Sequence, residues 1–377
     1  MAGYLIALGE KADAIKAMEQ RVYSTYLSPK WLSWVEGTLG DYATMLPGDN
    51  VYFFTDRKIY GIGEILDIGS GQCVVENFPG ATSADLIDWQ NVANDAIYQF
   101  HQITKKNNTI SERVGRWIIA FKPSPQFFQY GIDMDDLLES NPSAFRSLRV
   151  FWKRSFIKLD DEENDAFKTA LIRTNIKQYY DQIDSVHDDS VPARLLGGSS
   201  PDIPKLLASK RGPDGSLSSE SLLEAGILFQ LAHFDGRTCD VFGKWSYLSR
   251  QVNASPFKPV DYMDRIDIFG YRWIEQYRFI IEKYLVVELK KEQSDQDNVL
   301  QVMKYVDWVN EEYAHGDYSL IDAFLVAHEF SEEVSLQEET RREYVVGRRP
   351  AHAKAWDNLK LVTYNVTEGG YIEFSLK

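Results

Sequence analysis

Cysteine is nearly absent from this sequence: Cys73 and Cys239 are the only two in 377 residues, far apart and in no C-x-x-C pattern. That scarcity excludes a disulfide framework, argues against a zinc site and fits a reducing, cytoplasmic setting. Histidine is also sparse, and His233, His315 and His328 show neither His-x-x-x-His nor HNH-like spacing. No run of 18 apolar residues occurs, and "MAGYLIALGEKADAIK" has no basic segment leading into a cleavable apolar core. Neither a membrane span nor a secretory signal is therefore expected. No serine stands in a G-x-S-x-G elbow, and no G-x-x-x-x-G-K-[ST] loop exists. Gly61 and Gly63 begin a G-x-G, but Leu66 occupies the third glycine's place, so a nucleotide-binding fold has no support. Positive charge is in deficit, with 41 Lys and Arg against 56 Asp and Glu and a net charge of −15. That balance speaks against a protein that coats nucleic acid nonspecifically, and leaves room for local basic surface.

What remains is an ordinary globular composition, 44% hydrophobic and 26% charged, long enough for two cores. Pro and Gly crowd 184–218, from Pro192 through Gly215, too densely for a regular element. This segment reads as a linker between a first domain over 1–180 and a second over 219–377. In the first, "YLIAL", "VYFF", "KIYGIGEIL" and "GRWIIAF" read as strands, with helices near 10–21 and 162–176. In the second, helices are expected over 216–234 and 297–313. Strands are expected over 264–273, 283–291, 319–330 and the last two apolar runs. The fold class is therefore α/β (α+β): a small mixed barrel followed by a compact α/β core.

Two basic clusters interrupt the acidic chain. "FRSLRVFWKRSFIK" gathers Arg146, Arg149, Lys153, Arg154 and Lys158 among aromatic residues. "RREYVVGRRPAHAK" adds Arg341, Arg342, Arg348, Arg349 and Lys354. Both read either as solvated faces or as local nucleic-acid contacts.

"GDNVYFF…IYGIGEI" with "RVFWKRSFIKLDDEEN" resembles the EVE/PUA-like family of modified-base readers over about residues 1–175. The resemblance implies a pocket for a flipped or unpaired base. Extruding a base costs a few kcal/mol, and stacking on an aromatic side chain returns about 1–3 kcal/mol. Trp31, Trp34 and Trp117 are the candidate walls, although tryptophans three apart also suit a core stripe.

The second half holds a strand, "YLVVELKK", that ends in charge. Alternation sets Glu288 and Lys290 on one face with Val286, about 6.6 Å apart, while Asp267 in "RIDIF" points away from its isoleucine neighbours. Antiparallel pairing of these strands brings Asp267, Glu288 and Lys290 together. Two carboxylates and an ammonium suit a Mg²⁺-dependent hydrolase, because one or two carboxylates anchor the metal. The bland reading is a strand end reaching solvent. "DRIDIFGY…LVVELKK" with "QVMKY" resembles the PD-(D/E)xK nuclease superfamily over 218–330, with a restriction-endonuclease-like core. It implies Asp267 and Glu288 as ligands of Mg²⁺ or Mn²⁺, Lys290 as the catalytic lysine, and Gln301 and Tyr305 as supporting residues on the next helix. Glu224 or Glu220 is a further ligand candidate from the first helix, although Ser221-x-x-Glu224 also fits a capping box. Asp264 is an alternative to Asp267.

Together the halves imply a metal-dependent DNA endonuclease, modification-dependent and suited to restriction or anti-phage defence. It would act on DNA carrying modified cytosine, as a homodimer and with partner proteins left open; RNA is a second substrate class. The alternatives are a repair nuclease that reads mismatch or structure, and a nuclease fold that only binds nucleic acid.

Overall fold

The computed structural model describes residues 1–9, 11–26, 32–69, 71–76, 116–123, 130–151, 156–182, 190, 202–254, 264–336, 340–347 and 349–377. The chain forms two compact units. One comprises Met1–Val35 and Met45–Pro201, the other Glu36–Thr44 and Asp202–Lys377. The class is mixed α and β, as the patterning predicts. Among the described residues no helix is long and apolar enough to cross a membrane.

From residue 1 to 182 the chain order is β1 (Gly3–Ala7), α1 (Lys11–Gln20), β2 (Val22–Tyr26), α2 (Leu32–Ala43), whose residues from Glu36 onward belong to the second unit, β3 (Asn50–Thr55), β4 (Lys58–Ile65), β5 (Val74–Glu76), β6 (Arg116–Pro123), β7 (Ile132–Asp133), α3 (Met134–Ser140), α4 (Arg146–Arg149), β8 (Phe156–Leu159), α5 (Asp161–Thr174) and α6 (Ile176–Gln182). The strands make one mixed, curled sheet in the order β2-β6-β4-β3-β1-β8, with β5 on β6 and β7 on β4. The β3–β4 hairpin turns through Asp56 and Arg57, both left-handed (φ 52° and 61°). That geometry matches the right-handed twist of the flanking strands. In the first basic cluster Lys158 is buried, Arg146 half-buried and Arg149 exposed. Phe145, Phe151 and Phe156 are buried, and Arg146 faces Glu162 at 3.0 Å and Asp160 at 3.6 Å. Lys153 and Arg154 lie outside the described residues.

The second unit continues with α7 (Ile203–Lys210), α8 (Glu220–Ala232), α9 (Gly236–Phe242), β9 (Tyr247–Asn253), β10 (Arg265–Ile274), β11 (Tyr277–Ser294), α10 (Gln296–Glu312), β12 (Ile321–Phe330), β13 (Arg342–Val346), β14 (His352–Trp356), β15 (Leu359–Val366) and β16 (Ile372–Leu376). Six strands form a sheet in the order β16-β15-β12-β11-β10-β9. Its centre, β11-β12-β15, is parallel and its flanks are antiparallel. Buried on both faces, the central strands read as continuous apolar runs such as "YLVV" and "AFLVA". Helix α10 makes the crossover that parallel strands β11 and β12 require. It opens on a reciprocal cap between Asp295 and Asn298 and buries Val299, Val302, Val306 and Val309.

Several expectations are revised. The Pro/Gly-rich segment contains a helix, α7, because Asp202 caps Lys205 N at 2.9 Å and Pro204 sits in the first turn, where no N–H is needed. Helix α8 is capped by Ser219, whose Oγ accepts from Leu222 N at 3.3 Å. The Ser221–Glu224 box does not form, and Glu224 turns inward instead. The stretch "IEQYRFIIE" extends the β10–β11 hairpin, so β11 runs 18 residues. Strands β9, β13 and β14 were not anticipated.

Candidate active site

Asp267 and Glu288 are brought opposite one another by strand register. β10 and β11 are antiparallel with Ile268 across from Val287 and Phe269 across from Val286, so the next step along sets Asp267 across from Glu288. Directly opposed residues hold their Cβ atoms about 4.5–5.5 Å apart on one face. Glu288 is 2% exposed. Its Oε1 accepts from Lys290 Nζ at 2.7 Å, while its Oε2 is buried with no hydrogen-bond donor among the described residues. Asp267 is better supported: Oδ2 accepts Leu289 N and Oδ1 accepts Gln251 Nε2, each at 2.8 Å.

The electrostatics follow from this crowding. Burial raises the pKa of Glu288, and the neighbouring Asp267 charge pushes it further up against the pull of Lys290. Burial likewise raises Asp267, which Leu289 N and Lys290 oppose. Burial works against charge on Lys290, but Glu288 outweighs it and the net shift is upward. Two carboxyl groups thus face one ammonium; the crowding favours a proton kept on Glu288, whose buried Oε2 has no hydrogen-bond donor among the described residues. Leaving such a group unsatisfied is costly, and a divalent cation that displaced the proton would satisfy it. Among the described residues no group of three or more His, Cys, Asp or Glu is arranged to hold a metal. Two opposed carboxylates fit magnesium nevertheless, since that ion keeps several waters and takes one or two carboxylates.

An irregularity follows directly after Lys290. β11 and β12 stay in register from Tyr284 to Lys290 and then slip by one residue before Gln293. The Tyr364 hydroxyl of β15 donates to the carbonyl of Lys291 at 2.6 Å inside that bulge. Bulges of this kind re-aim side chains beside functional sites. From α10, Gln301 Nε2 donates to the Tyr305 hydroxyl at 2.8 Å. Burial and then the Glu288 charge raise the Tyr305 pKa, which places its phenol in the field of the site.

Glu224 arrives from α8 already engaged. Its Oε2 accepts Arg250 Nε at 2.8 Å and its Oε1 accepts Gln251 Nε2 at 3.1 Å. Burial pushes its pKa up to about 7 while Arg250 pulls down. Burial also opposes the Arg250 charge, but Glu224 and Asp41 more than offset it. Glu220 is exposed at the head of α8, and its charge reaches both Asp267 and Lys290. Asp264 is exposed just before β10.

Gln251 and Arg250 were not among the sequence candidates. Gln251 stands in β9 with φ 51°, a left-handed conformation that costs a non-glycine residue about 1–3 kcal/mol. The ladder pairs Ile266 with Val252 and Ile268 with Arg250, leaving Asp267 beside the distorted residue. Strand alternation would send residues 250 and 251 to opposite faces, yet both reach Glu224. One amide therefore ties Glu224 to Asp267. The legible signal was thin: a polar "SRQ" following "YL" in an unremarked strand.

The proposed base-stacking tryptophans are not gathered among the described residues. Trp31 lies outside them, and Trp34 lies in α2 with its side chain outside them. Trp117 is buried in β6, 2% exposed.

No family model matches the chain, and no curated protein does. Among solved structures, it is similar to the crystal structure of a repair endonuclease from Pyrococcus abyssi, at 26% identity with a TM-score of 0.15. The match covers 22% of this chain and 32% of that one. That TM-score is too low for the match to speak to the fold.

Proposed function

We propose that the second unit is a divalent-metal-dependent phosphodiesterase of the PD-(D/E)xK type that cuts DNA, and that the first unit is a PUA/EVE-like reader directing it to modified cytosine. The observation that carries the nuclease reading is the opposed Asp267–Glu288 pair, with a buried, donor-less Oε2 and Lys290 alongside. Bound Mg²⁺ or Mn²⁺ supplies Lewis-acid charge neutralisation at the phosphodiester and acidifies water. Asp267 and Glu288 hold the cation. Lys290 stays protonated and offers its ammonium to charge developing on the phosphoryl oxygens. Glu224, held by Arg250, acts on Asp267 through Gln251 rather than as a ligand. Gln301 orients the Tyr305 phenol at the rim. The reader role of the first unit rests on its resemblance and its curled sheet. Cutting both strands of a duplex with one such site per chain calls for a homodimer.

The test uses the full chain with Mg²⁺ or Mn²⁺ and matched duplexes whose cytosines are unmodified, methylated, hydroxymethylated or glucosylated. Cleavage restricted to a modified duplex is expected, falling roughly 10²–10⁴-fold in Lys290→Ala with an unchanged circular dichroism spectrum. Undiminished cleavage by Lys290→Ala would remove the catalytic assignment. Equal cleavage of all four duplexes would remove the reader.

A further inference from the structure

The second basic cluster has no part in the site just described, and its structure is unusual for a solvated face. β13 and β14 form a hairpin of their own, outside the six-stranded sheet. One face presents Arg342 with Trp356, Tyr344 with Lys354 and Val346 with His352 as cross-strand pairs. Only the root is packed. Trp356 is 4% exposed and donates Nε1 to Ile321 O at 2.9 Å. Arg342 forks onto Asp307 of α10 at 2.7 and 2.8 Å. Beyond the root Val345, Val346, Arg349, His352 and Lys354 are exposed. A two-stranded hairpin without a buried face is marginal in water, so its own packing does not account for it.

Charge and position suggest what does. Residues 341–354 carry five basic side chains against one acidic, in a chain whose net charge is −15. Cations beside an aromatic ring on one strand face suit a phosphate backbone. The root is also close to the site: Ile321 aligns with Tyr284 and Leu325 with Glu288, four strand residues or roughly 13 Å.

We propose that the β13–β14 hairpin is a phosphate-binding arm for duplex DNA, with Arg349 and Lys354 as its contacts and Arg342 as its anchor. The choice of partner rests on the nuclease reading above. The arm supplies sequence-independent affinity.

The experiment is fluorescence anisotropy of a labelled duplex with the full chain in EDTA, so that binding is read without cleavage, over a series of salt concentrations. The double variant Arg349→Glu/Lys354→Glu is expected to bind at least about tenfold more weakly and to lower the slope of log K against log salt by about two, near 0.9 per lost phosphate contact. Lys205→Glu, an exposed charge on α7, is expected to match wild type, and so is the double variant's thermal midpoint. Wild-type affinity and slope in the double variant overturn the arm, as does an equal loss in Lys205→Glu or failure of the wild type to bind. Preferential, hairpin-dependent binding of a duplex RNA of the same sequence overturns the DNA assignment. The same variants are then assayed for cleavage with Mn²⁺ in place of EDTA: cleavage without hairpin dependence removes the arm and keeps the nuclease, and hairpin-dependent binding without cleavage does the reverse.

Discussion

Gln251 shows how much chemistry one side chain can organise when its backbone leaves the strand pattern. Its amide sits 2.8 Å from Asp267 and 3.1 Å from Glu224, so it sets the direction in which Asp267 presents its oxygens, and on the proposed function that direction governs metal affinity. Partners of that kind are worth about 10–100-fold in metal affinity. Gln251→Leu is accordingly expected to weaken Mn²⁺ binding by that factor in calorimetric titration. Gln251→Gly relieves the left-handed backbone but loses the amide, and it should lose affinity equally. Retention of wild-type affinity by the glycine variant would show that the amide does not matter. Asp267, Glu288 and Lys290 were legible because period-two alternation carries through two regular strands. Gln251 and Arg250 were not, because their convergence on Glu224 depends on the one residue that breaks alternation.

The elements with strong periodicity were legible almost to their ends: α10 from its valine stripe, and β15 as "LKLVTYNV". Elements whose signal is compositional were missed. Helix α7 is concealed by Pro and Gly counts, although its cap and first-turn proline are both favourable. β9 is concealed by a polar second half. The bulge after Lys290 is likewise invisible in sequence, since it depends on β15, more than 70 residues away, catching Lys291 O. Tyr364→Phe removes that bond and the acceptor of Leu217 N. It is expected to destabilise the second unit by about 1–3 kcal/mol in urea unfolding and to lower turnover as Lys290 loses its aim. Unchanged stability and turnover would mean that the bulge is held by the backbone alone.

Across the whole molecule, buried carboxyl groups dominate the response to pH. Burial raises Glu163 of α5, with Asp160 adding to it, and raises Glu224 to about 7; the unfolded chain ionises such groups near 4.3. Below that value both states are protonated and nothing is lost. As pH rises further, the unfolded state releases its protons first, so stability falls until the folded groups ionise too. In EDTA the thermal midpoint is therefore expected to decline between about pH 5 and pH 8. Added Mn²⁺ should reverse the decline for the transition that reports the second unit alone. A midpoint that climbs across this window without metal would contradict the assignment of these carboxyls as buried and protonated.

The second unit also has a history within the chain. It takes residues Glu36–Thr44 from the midst of the first unit's sequence. On that segment Gly37 and Gly40 leave room for Arg250 and for Leu228, and Asp41 lies 3.4 Å from the Arg250 guanidinium, 209 residues onward. At about 5–20 residues per second of synthesis, that separation is roughly 10–40 s. The nine residues emerge long before the arginine they receive. A ribosome-bound chain therefore passes through an interval in which the first unit's sequence is complete and a piece of the second, already made, has nothing to pack against.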